Sequence, residues 1–146
     1  DLLPLKQAKA QGFGTTLYLD CVEHKYVEEF SVSNFVGIDG NGAYVTPKTS
    51  SILPSITNKM LMQIAGGKYG MDVQDRSLAW DEVSSFREVG ACGTATVCVP
   101  IASITDGDTR HEFGKFDVLQ QLRDTLQGIQ YGEQEDLYGW MREVDM

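Results

Sequence analysis

The chain is poor in several features that mark particular classes of protein. No apolar run approaches the roughly 20 residues needed to span a bilayer, and no signal-peptide pattern opens the sequence. Basic residues are scarce, because 12 lysines and arginines stand against 21 acidic residues, a net charge of −9. This balance disfavours nucleic acids and anionic membranes as partners. We therefore expect a soluble protein that handles small molecules.

Cysteine is also scarce. The three cysteines, Cys21, Cys92 and Cys98, are an odd number, and no Cys/His grouping has the spacing of a zinc site. We expect reduced thiols in an intracellular compartment and no bound metal. The sequence does not distinguish cytoplasm, mitochondrion and plastid.

The length and composition suit one core. With 146 residues, 42% of them hydrophobic and only four prolines, the chain is expected to form a single domain over residues 1–146. It begins at Asp1, inside an amphipathic helical pattern. We infer that it was cut from a longer polypeptide, so that a preceding half is expected.

Apolar periodicity and turn residues predict a mixed α/β (α+β) domain of short elements. Helices are predicted over residues 2–11, from Ile56 to a stop at Gly66-Gly67, and over residues 115–130. Strands are predicted over residues 15–20, 26–31, 35–38, 43–46, 71–75, 89–91 and 95–100. The clearest local signal is Asp-Gly-Asn-Gly at residues 39–42, which predicts a hairpin turn.

Residues 53–57, Leu-Pro-Ser-Ile-Thr, lead directly into the second predicted helix. The first N–H groups of a helix lack intrahelical partners and carry the positive end of its dipole. The backbone N–H groups of Ile56 and Thr57, with the Thr57 hydroxyl, are therefore candidates to hold a phosphate group. The alternative is that Ser55 or Thr57 only caps the helix.

Residues 93–95, Gly-Thr-Ala, offer a second cluster of backbone donors. The small glycine and alanine let a ligand approach closely, and Thr94 adds a hydroxyl. Taken alone, the tripeptide is more typical of a bend in a sheet. Only in combination with residues 53–57 does it favour a phosphate-bearing ligand.

The order and spacing of residues 26–34 (Tyr-Val-Glu-Glu-Phe-Ser-Val-Ser-Asn), 53–57 and 92–95 (Cys-Gly-Thr-Ala) resemble the branched-chain amino acid aminotransferases. These belong to the D-alanine aminotransferase-like, fold type IV, pyridoxal phosphate enzymes. The stretch at residues 128–136 favours this type over D-amino acid aminotransferases and aminodeoxychorismate lyases. The resemblance implies the large C-terminal domain of that fold, with mixed sheets in a pseudo-barrel and flanking helices.

The resemblance also implies roles for single residues. Glu29, five residues before Asn34, would keep the pyridine nitrogen of pyridoxal 5′-phosphate protonated, which strengthens the ring's uptake of electrons. Read in isolation, Glu29 is a surface charge on a strand. The implied cofactor contacts are Glu29, Asn34, Ile56, Thr57 and Thr94, the last three at the phosphate, and the implied contacts to the substrate carboxylate are Thr94 and Ala95.

The implied reaction of the parent protein moves an amino group between leucine, isoleucine or valine and 2-oxoglutarate, and members of the family are commonly homodimers. Their cofactor-linked lysine lies on a Lys-x-Gly-Gly-Asn-Tyr segment, which corresponds to a position upstream of Asp1. Lys6 and Lys9 lack that context and are expected to be solvated. The N-terminal small domain is also expected upstream. The chain alone is therefore expected to be inactive, with at best weak, non-covalent cofactor binding.

Several positions depart from the family pattern. Ser55 stands where the family has glycine, and Asn58 where it has arginine. These two changes motivate an alternative function, a non-catalytic degenerate homologue that acts as a binding or interaction module. Residues 96–99 lack the Cys-x-x-Cys pair of mammalian relatives, so a redox switch of that kind is not expected. Cys92 and Cys98 are expected to be small apolar core residues.

Overall fold

A branched sheet of seven strands lies at the centre of the structure, a computed structural model that describes residues 2–144. In chain order the elements are α1 (Leu2–Ala10), β1 (Leu17–Leu19), β2 (Val27–Phe30), β3 (Ser33–Ile38), β4 (Tyr44–Pro47), α2 (Ile56–Gln63), a π-helical turn (Ile64–Lys68), β5 (Val73–Arg76), α3 (Trp80–Val83), β6 (Glu88–Gly93), β7 (Val97–Pro100), β8 (Ser103–Asp106), β9 (Thr109–Glu112) and α4 (Asp117–Gln130). The mixed α/β (α+β) architecture predicted from the sequence is confirmed. Within the described residues, no helix is both long enough and apolar enough to cross a membrane.

Strand β3 is the central strand because both of its edges are paired. Along one edge it runs antiparallel to β6, from Asn34 opposite Cys92 to Ile38 opposite Glu88. The other edge is shared, since β2 pairs with the start of β3 and β4 pairs with its end. Strand β5 then runs parallel to β4, and β7 runs antiparallel to β6. The sheet therefore branches at β3, while β8 and β9 form a separate hairpin.

The predicted turn at residues 39–42 closes the hairpin between β3 and β4. The Asp39 carboxylate accepts hydrogen bonds from the backbone N–H groups of Asn41 (2.9 Å) and Ala43 (2.8 Å). Gly42 has a φ of 88°, a conformation that glycine adopts without steric cost. The side chain of Asp39 and the glycine together explain why this local signal was correctly predictive.

Two hydrophobic clusters pack on the sheet. One lies between the sheet and the helices α2 and α4, where the predicted apolar face of α4 is buried: Leu119, Leu122, Leu126 and Ile129. The other contains Phe30 and Phe35, whose rings stack with centroids 5.8 Å apart. Burial of each large apolar side chain stabilises the fold by about 1.5–3 kcal/mol. The helix periodicity and the strand alternation therefore produce cores on two sides.

The predicted helix stop at Gly66-Gly67 is wrong. The chain continues through both glycines as a π-helical turn, in which the Tyr69 N–H donates to the Ile64 carbonyl at 3.2 Å. Ile64 and its neighbour Ala65 are fully buried, so packing holds the chain in a helical path past the glycines. The turn ends at Lys68, and Gly70, two residues later, has a φ of 61°. Helix α3 and the β8–β9 hairpin were also not predicted.

Helix α4 begins at a buried carboxylate from a distant strand. Glu88, 3% exposed, accepts hydrogen bonds from the backbone N–H groups of Asp117 (3.0 Å), Val118 (2.9 Å) and Leu119 (2.8 Å). Phe116, the residue at the N-cap position, offers no side-chain acceptor. Glu88 therefore satisfies the first N–H groups of α4, and its negative charge interacts favourably with the positive end of the helix dipole. It also ties the start of β6 to that helix.

Candidate functional site

Glu29 and Asn34 face each other across the β2–β3 hairpin. The Asn34 side-chain amide donates to the Leu53 carbonyl at 3.0 Å and lies 3.4 Å from a Glu29 carboxylate oxygen. Partial burial raises the pKa of Glu29 above its ordinary value of 4.5, and a backbone hydrogen bond with Leu53 offsets part of this effect while the charge of Glu28 adds to it. A partly desolvated carboxylate of this kind is a strong acceptor for a cationic ring N–H.

The start of helix α2 combines a cap with free donors. Ser55 has an extended backbone, and its hydroxyl accepts the Asn58 N–H at 3.1 Å, so the capping alternative is correct for Ser55. The N–H groups of Ile56 and Thr57 precede the first intrahelical acceptor and remain available to a ligand. Ile56 is exposed, whereas Thr57 is buried. Capping and anion binding are therefore compatible at this turn.

Asn58 points into the protein rather than towards a ligand. Its side-chain oxygen accepts the Tyr44 hydroxyl at 2.7 Å, and its side-chain amide donates to the Thr46 hydroxyl at 2.9 Å. Thr46 in turn donates to the Phe35 carbonyl at 3.0 Å. Burial raises the pKa of Tyr44 well above its ordinary value, so this phenol stays neutral and donates. The chain of hydrogen bonds anchors the first turn of α2 to strands β4 and β3.

The Gly-Thr-Ala segment lies at the tip of the β6–β7 hairpin. Gly93 and Val97 are paired, so the loop consists of Thr94, Ala95 and Thr96, all exposed. A Cβ on Gly93 would lie 3.8 Å from the Cβ of Ser33, which shows how closely the tip adjoins the β2–β3 hairpin. The loop is therefore closed by the Gly93–Val97 pair and is open to a ligand along its backbone.

Strand register brings the three segments together. Glu29, Asn34 and Cys92 lie opposite one another across β2, β3 and β6, and directly opposed residues of a sheet share one face. The hydrogen bond from the Asn34 side chain to the Leu53 carbonyl then ties this row to the segment that leads into α2. The carboxylate, the helix N-terminus and the Gly-Thr-Ala loop thus occupy one end of one face of the sheet.

Val97 closes this loop in an unusual conformation. Its φ is 62°, and the Cys98 N–H donates across it to the Thr96 carbonyl at 2.7 Å, the pattern of a γ-turn with positive φ. Such a conformation costs a β-branched residue about 1–3 kcal/mol. Burial of the Val97 side chain, 3% exposed, offsets about 1.5–3 kcal/mol. Sequence reasoning missed this feature, because a valine beside apolar residues signals an ordinary strand.

Cys92 and Cys98 are free, fully buried thiols, so their predicted role as core residues is confirmed. They lie opposite each other on β6 and β7. Burial raises the pKa of each thiol to about 12. Neither side chain is therefore a thiolate at neutral pH, which makes both poor nucleophiles. Cys21 is the exposed cysteine.

Helix α1 and its lysines lie away from this arrangement. Lys6 and Lys9 are exposed, as expected for solvated side chains. A cavity of about 830 Å³ adjoins α1 and is lined by Thr16, Phe30 and Trp80 among others, but by none of the predicted site residues. The convergent donors and the carboxylate, rather than cavity size, therefore identify the candidate site.

The donor set fits a pyridine ring that carries a phosphate. Glu29 supplies the acceptor for a ring N–H, and the start of α2 supplies backbone donors for an anion. The backbone of Thr94 and Ala95, both exposed, supplies a second set at the tip of the hairpin. Among residues 2–144, no group of three or more His, Cys, Asp or Glu side chains is arranged to hold a metal ion.

Comparison with known proteins agrees with the sequence motifs. Residues 1–104 match the amino-transferase class IV family. A branched-chain-amino-acid aminotransferase of Helicobacter pylori is 40% identical over 144 residues, which cover 98% of this chain and 42% of that protein. A chloroplastic branched-chain-amino-acid aminotransferase 2 of Arabidopsis thaliana is 38% identical, over 99% of this chain and 37% of that protein. The chain thus spans about two-fifths of the length of these curated relatives.

Solved structures show the same fold. The crystal structure of the Escherichia coli branched-chain amino acid aminotransferase superposes with a TM-score of 0.84 at 28% identity, covering 99% of this chain and 46% of that one. The enzyme of Thermobaculum terrenum in its PLP-form gives a TM-score of 0.77 at 31% identity, covering 88% and 41%. The resemblance indicated by the motifs is confirmed, and the chain belongs to the class IV aminotransferase family.

Proposed function

We propose that this chain is the cofactor-binding domain of a branched-chain amino acid aminotransferase. The observation that carries the proposal is the row of Glu29, Asn34 and Cys92 across three strands, which brings the carboxylate beside both phosphate-binding candidates. Membership of an aminotransferase family supports amino-group transfer as the chemistry. The cofactor is pyridoxal 5′-phosphate, which supplies a ring that takes up electrons from the bond broken at the substrate Cα.

Each proposed contact follows from the donor or acceptor that the residue presents. Glu29 accepts the ring N–H, and Asn34 fixes the position of its carboxylate through Leu53. The backbone N–H groups of Ile56 and Thr57 and the Thr57 hydroxyl hold the phosphate at the start of α2. The hairpin tip completes the set: Thr94 binds the phosphate, and Thr94 and Ala95 bind the substrate carboxylate.

The substrates and the remaining parts of the site are proposed from the same family. The amino group moves between leucine, isoleucine or valine and 2-oxoglutarate, and the intact protein is a homodimer in an intracellular compartment. The lysine that moves the proton at the substrate Cα is supplied by a segment upstream of Asp1, as is the small domain. The isolated chain then has no turnover and binds the cofactor weakly and non-covalently.

A transaminase assay with leucine and 2-oxoglutarate tests the proposal on two proteins. The complete gene product is expected to form glutamate, and Glu29→Gln is expected to lower kcat at least tenfold because the ring N–H loses its anionic acceptor. Glu28→Gln, one residue away, is the matched control and retains activity. The purified 146-residue chain is expected to form none.

Two results would contradict this assignment. Turnover by the purified chain alone would show that no upstream lysine is needed. A gene product that contains the upstream lysine segment but neither binds pyridoxal phosphate nor transfers amino groups would contradict the enzymatic function itself.

A second candidate function is a non-catalytic binding or interaction module. The observation that favours it is Asn58, which stands at an arginine position and is directed inward to Tyr44, so it presents no cation to a phosphate. The sequence that precedes Asp1 in the gene product discriminates the two. A Lys-x-Gly-Gly-Asn-Tyr-like segment supports the enzyme, and a complete product without it supports the module.

A further inference from the structure

The loop at residues 94–96 has little side-chain packing of its own. Thr94, Ala95 and Thr96 are all exposed, so the direction of their backbone N–H groups is not fixed by burial of the loop. At one end, Gly93 is half-buried beside Ser33 and has no side chain to anchor. The anchor must therefore lie at the other end of the loop.

Val97 is the residue at that end, and three observations distinguish it. Its backbone has a φ of 62°, which an L-residue with a branched Cβ rarely adopts. Its neighbours close a γ-turn around it through the 2.7 Å bond from the Cys98 N–H to the Thr96 carbonyl. Its side chain belongs to the same buried cluster as Val36 and Leu119.

We infer that Val97 is a positioning residue for the Gly-Thr-Ala loop. The buried side chain holds the backbone in its strained γ-turn, and the γ-turn fixes the path of the chain where residues 94–96 join β7. A glycine would adopt this φ without cost, as Gly42 and Gly107 do in their turns, but it would leave the loop unanchored. The strain is thus maintained by packing at the edge of the site.

The inference deepens the proposed function, since the loop is the second phosphate-binding element there. A fixed loop lowers the entropic cost of ligand binding, because its donors need no ordering when the phosphate arrives. Val97 itself touches no reacting atom. Substitution of Val97 is therefore expected to change the affinity for the phosphate group and to leave the affinity for the pyridine ring unchanged.

The test uses the 146-residue chain and four variants: Val97→Gly, Val97→Ala, Val97→Ile and Val36→Ala. Val36→Ala is the matched control, because it removes the same methyl groups from the same cluster at a residue with ordinary φ. The first readout is the ¹⁵N order parameter of the Thr94, Ala95 and Thr96 amides. Order parameters of about 0.85 are expected in the unmodified chain and in Val36→Ala, and order parameters below about 0.6 are expected in Val97→Gly.

The second readout is affinity for pyridoxal phosphate against pyridoxal, which lacks the phosphate. Val97→Gly and Val97→Ala are expected to weaken binding of pyridoxal phosphate about tenfold and to leave binding of pyridoxal unchanged. Val97→Ile, which keeps a branched buried side chain, is expected to bind both as the unmodified chain does. If Val97 only contributed to core packing, Val36→Ala would weaken binding of pyridoxal phosphate as much as Val97→Ala does.

The two readouts separate failure of this inference from failure of the proposed function. A loop that is mobile in the unmodified chain, or equally ordered in all variants, overturns the role of Val97 whatever the chain binds. An ordered loop that loosens only in the Val97→Gly and Val97→Ala variants supports that role. If the same chain then shows no affinity for pyridoxal phosphate, the proposed cofactor binding by the isolated chain fails and the positioning role stands.

Discussion

The side-chain amide of Asn34 donates a 3.0 Å hydrogen bond to the backbone carbonyl of Leu53. This contact joins the β2–β3 hairpin, which carries Glu29, to the segment that leads into α2. Glu29 and the start of α2, the proposed contacts to the ring and to the phosphate, are therefore linked through this side chain. The family resemblance implies that Asn34 is a cofactor residue, and under the proposed function this hydrogen bond would set the spacing between the two ends of the ligand.

Replacement of Asn34 by alanine should weaken binding more than it weakens the fold. Loss of the hydrogen bond to Leu53 and of the longer one to Glu29 is expected to lower the free energy of unfolding by about 0.5–1.5 kcal/mol. Affinity of the 146-residue chain for pyridoxal phosphate is expected to fall about three- to tenfold, since the two contact regions are no longer held in register. Val22→Ala, at a remote exposed position, is the control. Unchanged affinity in Asn34→Ala would contradict the spacing role.

Substitution of Glu88 should lower the stability of the fold whether or not a ligand is bound. In Glu88→Ala, the first N–H groups of α4 lose a buried anionic acceptor, so the free energy of unfolding should fall by about 3 kcal/mol. Glu88→Gln keeps one neutral acceptor oxygen, so its free energy of unfolding should lie between those of the unmodified chain and Glu88→Ala. The exposed Glu112→Ala should change stability by less than about 0.5 kcal/mol. Urea denaturation measures all three, and equal effects of Glu88→Ala and Glu112→Ala would rule out the capping role.

Local sequence signals predicted part of the fold correctly. The apolar spacing of α4 and the Asp-Gly-Asn-Gly turn depend on residues close in sequence, and both elements are present in the structure. The predicted helix stop at Gly66-Gly67 is wrong because burial of Ile64 and Ala65 outweighs the low helix propensity of the two glycines. The β8–β9 hairpin carries its own signal, Asp106-Gly107, with a φ of 57° at the glycine. Such a dipeptide between two strands is typical of a hairpin turn.

Contacts between distant segments could not be predicted in the same way. Glu88 caps a helix that begins 29 residues later, and nothing near Glu88 in sequence distinguishes it from a surface acid. In the sequence Asn58 is visible only as a departure from a family arginine, whereas its amide completes a part-buried chain of hydrogen bonds from Tyr44 to Thr46. The site residues were indicated by family motifs. Their convergence depends on strand register, which the sequence alone does not supply.

The Tyr44–Asn58 hydrogen bond should be measurable as a stability effect. Tyr44→Phe leaves the Asn58 side-chain oxygen without its donor inside the protein, so the free energy of unfolding should fall by about 1–3 kcal/mol. Tyr131→Phe removes a hydroxyl from an exposed tyrosine and should be nearly neutral. A double-mutant cycle with Asn58→Ala should show coupling of at least about 0.5 kcal/mol. Additive effects would mean that the two side chains do not depend on each other.

The raised pKa of Glu29 gives a pH dependence with a definite sign. Because burial raises the pKa in the folded protein, the folded state binds more protons than the unfolded state between the two pKa values. The contribution of Glu29 is therefore present below the ordinary value of 4.5 and is lost as pH rises through the raised value. Glu29→Gln should remove this fall in stability, so the variant should gain stability relative to the unmodified chain as pH rises from 4 to 7.

Thermal unfolding of Glu29→Gln and Glu28→Gln across that range tests the sign. The difference in Tm between Glu29→Gln and the unmodified chain should grow as pH rises, and saturating pyridoxal phosphate should reduce or reverse it, because only the native carboxylate pairs with a cationic ring N–H. Glu28→Gln should show no such ligand dependence. A Glu29→Gln variant that loses stability with rising pH would mean that a cationic group already pairs with the carboxylate. Glu29 would then be a structural charge and not the acceptor for a ring N–H.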